Sequence, residues 1–264
     1  TGTATSTDVN WSKDNSGTLT FNGKATWSGN NIGDNAIVTM TKESKWEGSN
    51  KGSNATIIME NNTWHGNNNG VNTTITLEGA EWQGDNKAQA TTVTLDSSAT
   101  WKGYNIANDF ALNLNNSVWY KTGTSTIANL NGTNGIVDMT TGSGDVTVSN
   151  YEGNVVVLYG HTIIDADSIS TGNKAVVVNG GNFTISEADA GSQIILRTDS
   201  SGLNLAVDAE YTEKNLVNAT LAALANKLYY TEYSDTVKNL SGKVEISEGL
   251  TSVAKSLRIE DITF

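Results

Sequence analysis

One short pattern, written six times between Leu19 and Trp119, decides the fold. Its first two copies read LTFNGKATWSG (19–29) and VTMTKESKWEG (38–48). Successive tryptophans of this pattern stand 19, 18, 18, 19 and 18 residues apart, and they are Trp27, Trp46, Trp64, Trp82, Trp101 and Trp119. A fixed period of this size is typical of a solenoid, in which each repeat buries its apolar face by stacking on its neighbours.

Alternation inside the repeat predicts two strands and their orientation. In Leu19-Thr20-Phe21 two apolar residues flank a polar one, which is the period of a strand with one buried face. Around each tryptophan the pattern is small–x–Trp–x–Gly, with polar residues such as Lys45 and Glu47 between. We therefore predict that the tryptophans face inward and stack at steps of about 4.8 Å. An exposed aromatic row that binds sugars is the alternative, and the regular polar alternation disfavours it.

The composition narrows the classes of function. The 264 residues include no cysteine, which excludes disulfides and thiolate metal sites, and no proline, which suits a chain of stacked strands. A net charge of −12 argues against nucleic acid as a partner. No apolar run approaches the roughly 20 residues that cross a bilayer, so we expect no membrane insertion of this segment. We expect a soluble piece of a longer protein.

Loops rich in Asn and Gly follow the tryptophans, as in Asn30-Asn31, Asn67-Asn68-Asn69-Gly70 and Asp85-Asn86. Both residue types tolerate the left-handed backbone conformation that tight corners need. Stacked asparagines can also bond to one another along the axis of a solenoid. We therefore predict corner residues at these positions rather than a calcium or ligand site.

The pattern changes after Trp119. Short runs rich in Val and Ile extend from Ile127 to Leu205 and predict further coils without tryptophan. The segment Asn215–Leu228 instead has apolar residues at helical spacing, at Val217, Leu221, Leu224 and Leu228. We predict that this amphipathic helix docks on the last coils and caps the open end of the core.

The wording around Trp119 resembles a known family. Residues 117–139, with VW, TGTSTIANLNG and GIVDM in that order, resemble the closing coils of pertactin-like autotransporter passengers of outer-membrane bacteria. The resemblance implies a right-handed parallel β-helix that is exported through the outer membrane and displayed at the cell surface. It also implies a membrane barrel C-terminal to this segment in the full-length chain.

The predicted fold is all-β, a right-handed single-stranded parallel β-helix with coils of 18–19 residues and one short C-terminal amphipathic helix. We predict one domain over residues 1–264, with tryptophan coils at 9–119, Val/Ile coils at 120–209, and the helix with capping strands at 210–264. A left-handed hexapeptide helix also has 18 residues per turn. Its six-residue sub-repeat is missing here, and tryptophan would crowd its narrow bore.

The sequence offers few groups for catalysis. Asp165 and Asp167 share one face of a strand, as a glycosidase pair would, but nothing else marks them. His65 occupies an outward position that other coils fill with varied polar residues, and His161 is predicted to lie in a turn. We therefore predict no catalytic, cofactor-binding or metal-binding residues.

These observations predict a surface-displayed passenger segment that acts as an adhesin or a rigid stalk and is not an enzyme. The expected partners are a host-surface protein or glycan, or other bacterial cells, and we expect a monomer. The alternatives are a carbohydrate-active enzyme and a sugar-binding module on the same fold. Buried-facing carboxylates in a groove would favour the enzyme, and outward tryptophans would favour the sugar-binding module.

Overall fold

Parallel strands form a β-solenoid of about eight coils, each of about 18 residues. The computed structural model describes residues 9–140 and 142–161 without interruption. It also describes ten short segments, which are 2–4, 178–179, 183–189, 193–198, 203–204, 228–230, 244–245, 254–255, 258–259 and 262–263. The all-β parallel solenoid predicted from the spacing of the tryptophans is confirmed.

The first row of strands, here called the aliphatic row, carries the apolar pairs of the repeat. Its strands are β1 (Gly2–Ala4), β3 (Leu19–Phe21), β5 (Ile37–Thr41), β7 (Thr56–Glu60), β9 (Thr74–Glu78), β11 (Thr92–Asp96) and β13 (Ala111–Asn115). Each strand pairs in parallel with its equivalent in the next coil. Burial alternates along them, so that in β7 Ile57 and Met59 face inward and Ile58 faces outward. This is the period-2 pattern expected of a strand with one buried face.

The second row, here called the tryptophan row, carries the indoles. Its strands are β2 (Val9–Trp11), β4 (Ala25–Ser28), β6 (Lys45–Glu47), β8 (Thr63–His65), β10 (Glu81–Gln83), β12 (Thr100–Gly103) and β14 (Val118–Lys121). These strands are also parallel, and each tryptophan is in register with the tryptophan of the next coil. The one-residue differences in period therefore fall in the turns and leave the register of the strands intact.

The solenoid continues beyond the last tryptophan. The long strands β15 (Ser125–Asp138) and β16 (Val146–His161) pair in parallel over three successive stretches, which cover 125–127, 129–133 and 136–138 of β15. Val137 lies in register below Trp119, and both are fully buried. Aliphatic residues thus replace the indoles in the core, as the Val- and Ile-rich runs predicted.

The later strands depart from simple stacking. They are β17 (Val178–Asn179), β18 (Phe183–Ala188), β19 (Gln193–Thr198), β20 (Leu203–Asn204), β21 (Leu228–Tyr230), β22 (Val244–Glu245), β23 (Ala254–Lys255), β24 (Arg258–Ile259) and β25 (Ile262–Thr263). Strands β18 and β19 pair in parallel with β16, and β21 pairs in parallel with β18. By contrast, β24 and β25 pair with β19 in antiparallel fashion.

The predicted cap helix falls mostly on residues that the structure does not describe. Val217, Leu221 and Leu224 lie outside the described residues. Leu228 begins strand β21 and pairs with Phe183, so the helical prediction is wrong at that residue. Leu228 leads into Tyr229 and Tyr230, and aromatic residues favour the pleated, half-buried surface of a strand. Among the described segments no helix is long and apolar enough to span a membrane.

Candidate functional site

The tryptophans form one continuous stack inside the solenoid. From Trp27 to Trp119 the ring centroids of successive indoles are 4.5, 4.5, 4.7, 4.9 and 5.2 Å apart, with interplanar angles of 5–12°. Trp11 extends the stack above Trp27 at 5.5 Å and 20°. The six tryptophans of the repeat have no exposed surface. They cannot form the outward sugar-binding row that we weighed as an alternative.

Each indole also donates a hydrogen bond to the backbone of the preceding coil. Nε1 of Trp46 donates to the carbonyl oxygen of Gly29, and Nε1 of Trp64 donates to that of Gly48, both at 2.8 Å. The same bond recurs in the coils of Trp82, Trp101 and Trp119. A buried indole N–H needs such a partner. The tryptophan row is therefore held by hydrogen bonds as well as by stacking.

The glycine of the Trp–x–Gly pattern is required by this close approach. A Cβ atom added at Gly66 would lie 1.9 Å from the carbonyl oxygen of Gly48, and one added at Gly84 would lie 1.9 Å from that of Gly66. At Gly103 an added Cβ would also lie 2.7 Å from Nε1 of Trp101. The glycines therefore make room for the backbone of the preceding coil.

A second ladder, made of asparagine side chains, runs along a third edge of the coils. Its members are buried, and they are Asn15, Asn31, Asn50, Asn68, Asn86 and Asn105. Each Nδ2 donates to Oδ1 of the next member, at distances of 2.6–2.9 Å. The backbones at these positions are joined by isolated parallel bridges. All five bonds point the same way, so that they polarise one another in a low-dielectric interior.

This ladder corrects part of the sequence interpretation. Asn31, Asn68 and Asn86 were predicted as corner residues with a left-handed backbone, yet they do not have positive φ. The left-handed residues lie elsewhere, for example at Asn54 and Asn61. The sequence contains a signal that identifies the ladder, because each ladder asparagine stands four residues after the tryptophan of its coil.

The asparagine ladder gives a testable pH dependence. In Asn68→Asp a carboxylate oxygen replaces the Nδ2 that donates to Asn86, so two acceptors meet in a buried place. We expect a loss of about 2–3 kcal/mol at pH 7. Burial raises the pKa of the new carboxyl, so the folded state binds more protons than the unfolded state above about pH 4, and stability falls as pH rises. Urea denaturation at pH 4 and pH 7 measures the difference, and the exposed Asn69→Asp is the matched control.

Of the polar residues considered for catalysis, the structure describes His65 and the backbone of His161. His65 lies on the outer face, with a side chain 34% exposed, and its Nδ1 is 3.2 Å from Oε1 of Glu47. The hydrogen bond from Lys45 holds the pKa of Glu47 below its ordinary value. His161 ends strand β16 and pairs with Val178, so the predicted turn is wrong there. Asp165 and Asp167 lie outside the described residues.

Neither a metal site among the described residues nor a similarity to known proteins indicates a function. No group of three or more His, Cys, Asp or Glu side chains that could hold a metal ion occurs within the described residues. Comparison with protein-family models and with curated proteins finds no match.

One basic residue is buried at the end of the indole stack. Lys121 occupies the position that Gly103 has in the preceding coil, and its side chain is fully buried. Its Nζ donates to the carbonyl oxygens of Ser143 at 3.1 Å and Gly144 at 2.5 Å. Burial lowers the pKa of Lys121 from 10.5 to about 8, against the opposing attraction of Asp145. The lysine thereby ties the loop before β16 to the end of the tryptophan row.

We expect Lys121 to make the protein more stable as pH rises from about 8 towards 10.5. In that range the unfolded lysine still holds its proton while the folded lysine has lost it, so the unfolding free energy increases with pH. Burial raises the pKa of Tyr151, which reduces stability above about pH 10. Unfolding measured between pH 8 and 9.5 therefore isolates the lysine. The increase should disappear in Lys121→Met and persist in the exposed control Lys102→Met.

Proposed function

We propose that this chain is a segment of a surface-displayed passenger of the pertactin-like autotransporter type, without catalytic activity. It would reach the cell surface through the outer membrane, with a membrane barrel C-terminal to it in the full-length protein. Its role would be that of a rigid stalk or an adhesin. The wording of residues 117–139 supports the family, and the parallel β-solenoid is consistent with it.

The observation that carries the proposal is the continuity of the two internal ladders. Consecutive coils are joined by the same stacked indoles and the same chain of amide bonds, from Trp27 to Trp119 and from Asn15 to Asn105. Each coil of a solenoid contacts only its neighbours, so an unbroken series of similar contacts leaves no step without internal support. Such a rod suits the presentation of a surface away from the cell.

The adhesin role would rest on the outer faces. Outward positions of the tryptophan row are mostly polar and varied, as with Thr63 and His65 in one coil and Glu81 and Gln83 in the next. Varied polar side chains on a rigid support suit recognition of a host-surface protein or glycan, or of another bacterial cell. Binding of a sugar would have to use polar groups, because the stacked tryptophans are buried.

Surface display in a host with an outer membrane tests the proposal. The chain, fused to a passenger barrel, should be exported and should resist external protease. Cells that display it should adhere to host cells if it is an adhesin, whereas a stalk should only support adherence by a separate binding domain fused at its tip. Removing residues 47–64, one full coil, should leave export and the stalk function intact, because the register is kept.

A matched deletion sharpens this experiment. Removing only residues 47–55 leaves half a coil out of register and should reduce protease resistance. If the full chain were retained in the periplasm, this would contradict the passenger assignment. Turnover of pectins or common glycosides by the purified chain would instead favour the carbohydrate-active enzyme.

A further inference from the structure

Three copies of the Asn-x-Thr motif, the acceptor motif for N-linked sugars, lie on exposed turns of the middle coils. They read Asn54-Ala55-Thr56, Asn61-Asn62-Thr63 and Asn72-Thr73-Thr74. In each copy the asparagine is exposed and has a left-handed backbone, with φ of 53°, 51° and 56° in that order. Such a residue stands in a turn at the surface, where an enzyme can reach its amide.

The other copies of the motif among the described residues lie within strands. They begin at Asn10, Asn115 and Asn131, with serine or threonine two residues later. Asn115 and Asn131 are half-buried, and Nδ2 of Asn131 donates to Oδ1 of Asn113 at 3.0 Å. A sugar on Asn131 would break that bond and crowd the side chains of the neighbouring strands. The fold therefore separates the turn copies of the motif from the strand copies.

Two of the turn asparagines have an amide nitrogen without a hydrogen-bond partner. Nδ2 of Asn72 donates to Oδ1 of Asn54 at 2.7 Å. Within the described residues, Nδ2 of Asn54 and Nδ2 of Asn61 donate to no protein group. A sugar is joined to an asparagine at Nδ2, so no hydrogen bond has to be broken at these two positions. Asn54 and Asn61 are therefore better acceptors than Asn72.

Exposed apolar side chains lie beside the same two asparagines. Ile58 is 38% exposed on the outer face of β7, the strand that runs between Asn54 and Asn61. Val71 is 47% exposed, and its carbonyl oxygen accepts a hydrogen bond of 2.9 Å from the backbone N–H of Asn54. A sugar linked to asparagine is bulky and solubilising, so it would shield apolar surface of this kind from water and from other chains.

We propose that Asn54 and Asn61 are sites of N-linked glycosylation, and that the attached sugars cover the apolar surface around Ile58 and Val71. The co-substrate is a sugar whose anomeric carbon is linked to a diphosphate. Nδ2 forms a bond to that carbon, and the bond from the carbon to the diphosphate oxygen breaks. The diphosphate leaves with the electron pair, and a base of the glycosyltransferase takes the amide proton. The proposal does not depend on the passenger assignment.

Peptide mass spectrometry of the protein from the cells that make it tests this proposal. Trypsin cuts after Lys and Arg, so residues 52–87 form one peptide that holds Asn54 and Asn61, whereas Asn115 lies on 103–121 and Asn131 on 122–174. Fragmentation should place sugar on Asn54 and Asn61 and none on Asn115 or Asn131. A single added hexose would indicate a nucleotide-linked donor, and a preassembled oligosaccharide a lipid-linked one. An unmodified 52–87 peptide would overturn the proposal.

Variants made in the same cells test the role of the motif. Thr56→Ala should abolish the sugar on Asn54, whereas Thr56→Ser should keep it, because the motif accepts either hydroxyl. Asn69→Gln changes an exposed asparagine outside the motif and should leave the modification unchanged. Equal modification of the Thr56→Ala protein and the parent would overturn the assignment of Asn54.

A hydrophobic dye measures the covering role separately. Asn54→Gln/Asn61→Gln should bind more dye than the glycosylated parent, because Ile58 and Val71 are no longer shielded. Adding Ile58→Thr to that double variant should reduce the increase. Threonine suits this outward position, since Thr39 and Thr76 occupy it in the neighbouring coils. Equal dye binding by the double variant and the parent would overturn the covering role.

Discussion

Replacing Trp64 with alanine should lower the free energy of unfolding by about 3–5 kcal/mol. Trp64 has no exposed surface, and its ring lies 4.5 Å from that of Trp46 and 4.7 Å from that of Trp82. The substitution leaves a cavity one indole in size, which stiff neighbouring strands cannot close. It also removes the Nε1–H group that donates a hydrogen bond of 2.8 Å to the carbonyl oxygen of Gly48.

Two controls separate these contributions. Trp64→Phe keeps an aromatic ring in the stack but lacks the N–H, so it should have an intermediate stability. Thr63→Ala changes an outward neighbour on the same strand and should stay within about 0.5 kcal/mol of the parent. Denaturant titrations followed by circular dichroism give the three values. A Trp64→Ala protein as stable as the Thr63→Ala protein would contradict the prediction that the buried indole stack stabilises the fold.

The location of the damage is a further part of this prediction. Coils of a solenoid contact only their nearest neighbours, so stability is lost first next to the altered coil. Hydrogen exchange should therefore accelerate most in β8, which contains position 64, and in its neighbours β6 and β10. Uniform acceleration over all described coils would mean that the solenoid unfolds as a single cooperative unit.

The strand rows and the inward tryptophans could be predicted because alternation reports burial directly. Polar neighbours on either side of Trp46, namely Lys45 and Glu47, leave only one face for the indole. Bonding between stacked asparagines was anticipated, but the members of the asparagine ladder could not be identified in this way. Its members are polar residues in polar surroundings, so hydropathy does not distinguish Asn31, which is buried, from Asn30, which is not. Only the fixed phase relative to tryptophan carries that information.

The side chain of Asn62 was beyond sequence reasoning for a different reason. Its Oδ1 is buried without a hydrogen-bond partner, which is a matter of side-chain geometry that no residue pattern records. At Leu228 the local helical spacing did not decide the structure, since pairing with Phe183 places this residue in strand β21.

Gly66→Ala is expected to be about as damaging as loss of the indole, although it adds only one methyl group. The added Cβ would lie 1.9 Å from the carbonyl oxygen of Gly48 and 2.5 Å from its carbonyl carbon. Both are backbone atoms, so relief requires the two coils to separate. Separation would stretch the bond from Gly48 N to the carbonyl oxygen of His65, now 3.0 Å, and the bond from Trp64 Nε1 to Gly48. Overpacking of this kind costs about 3 kcal/mol at the upper end of its usual range.

Gly79→Asn is the matched control for this prediction, because it adds a larger side chain at a glycine whose neighbours can yield. Gly79 has a φ of 58°, and Asn61 adopts 51° at the equivalent turn position of the preceding coil, so asparagine suits the left-handed backbone. The nearest atom to an added Cβ is the side-chain Oδ1 of Asn61, which can rotate away. Denaturant titration should therefore show Gly79→Asn within about 1 kcal/mol of the parent. Equal stability of Gly66→Ala and Gly79→Asn would show that the coils are not held at the close spacing that the Trp–x–Gly pattern requires.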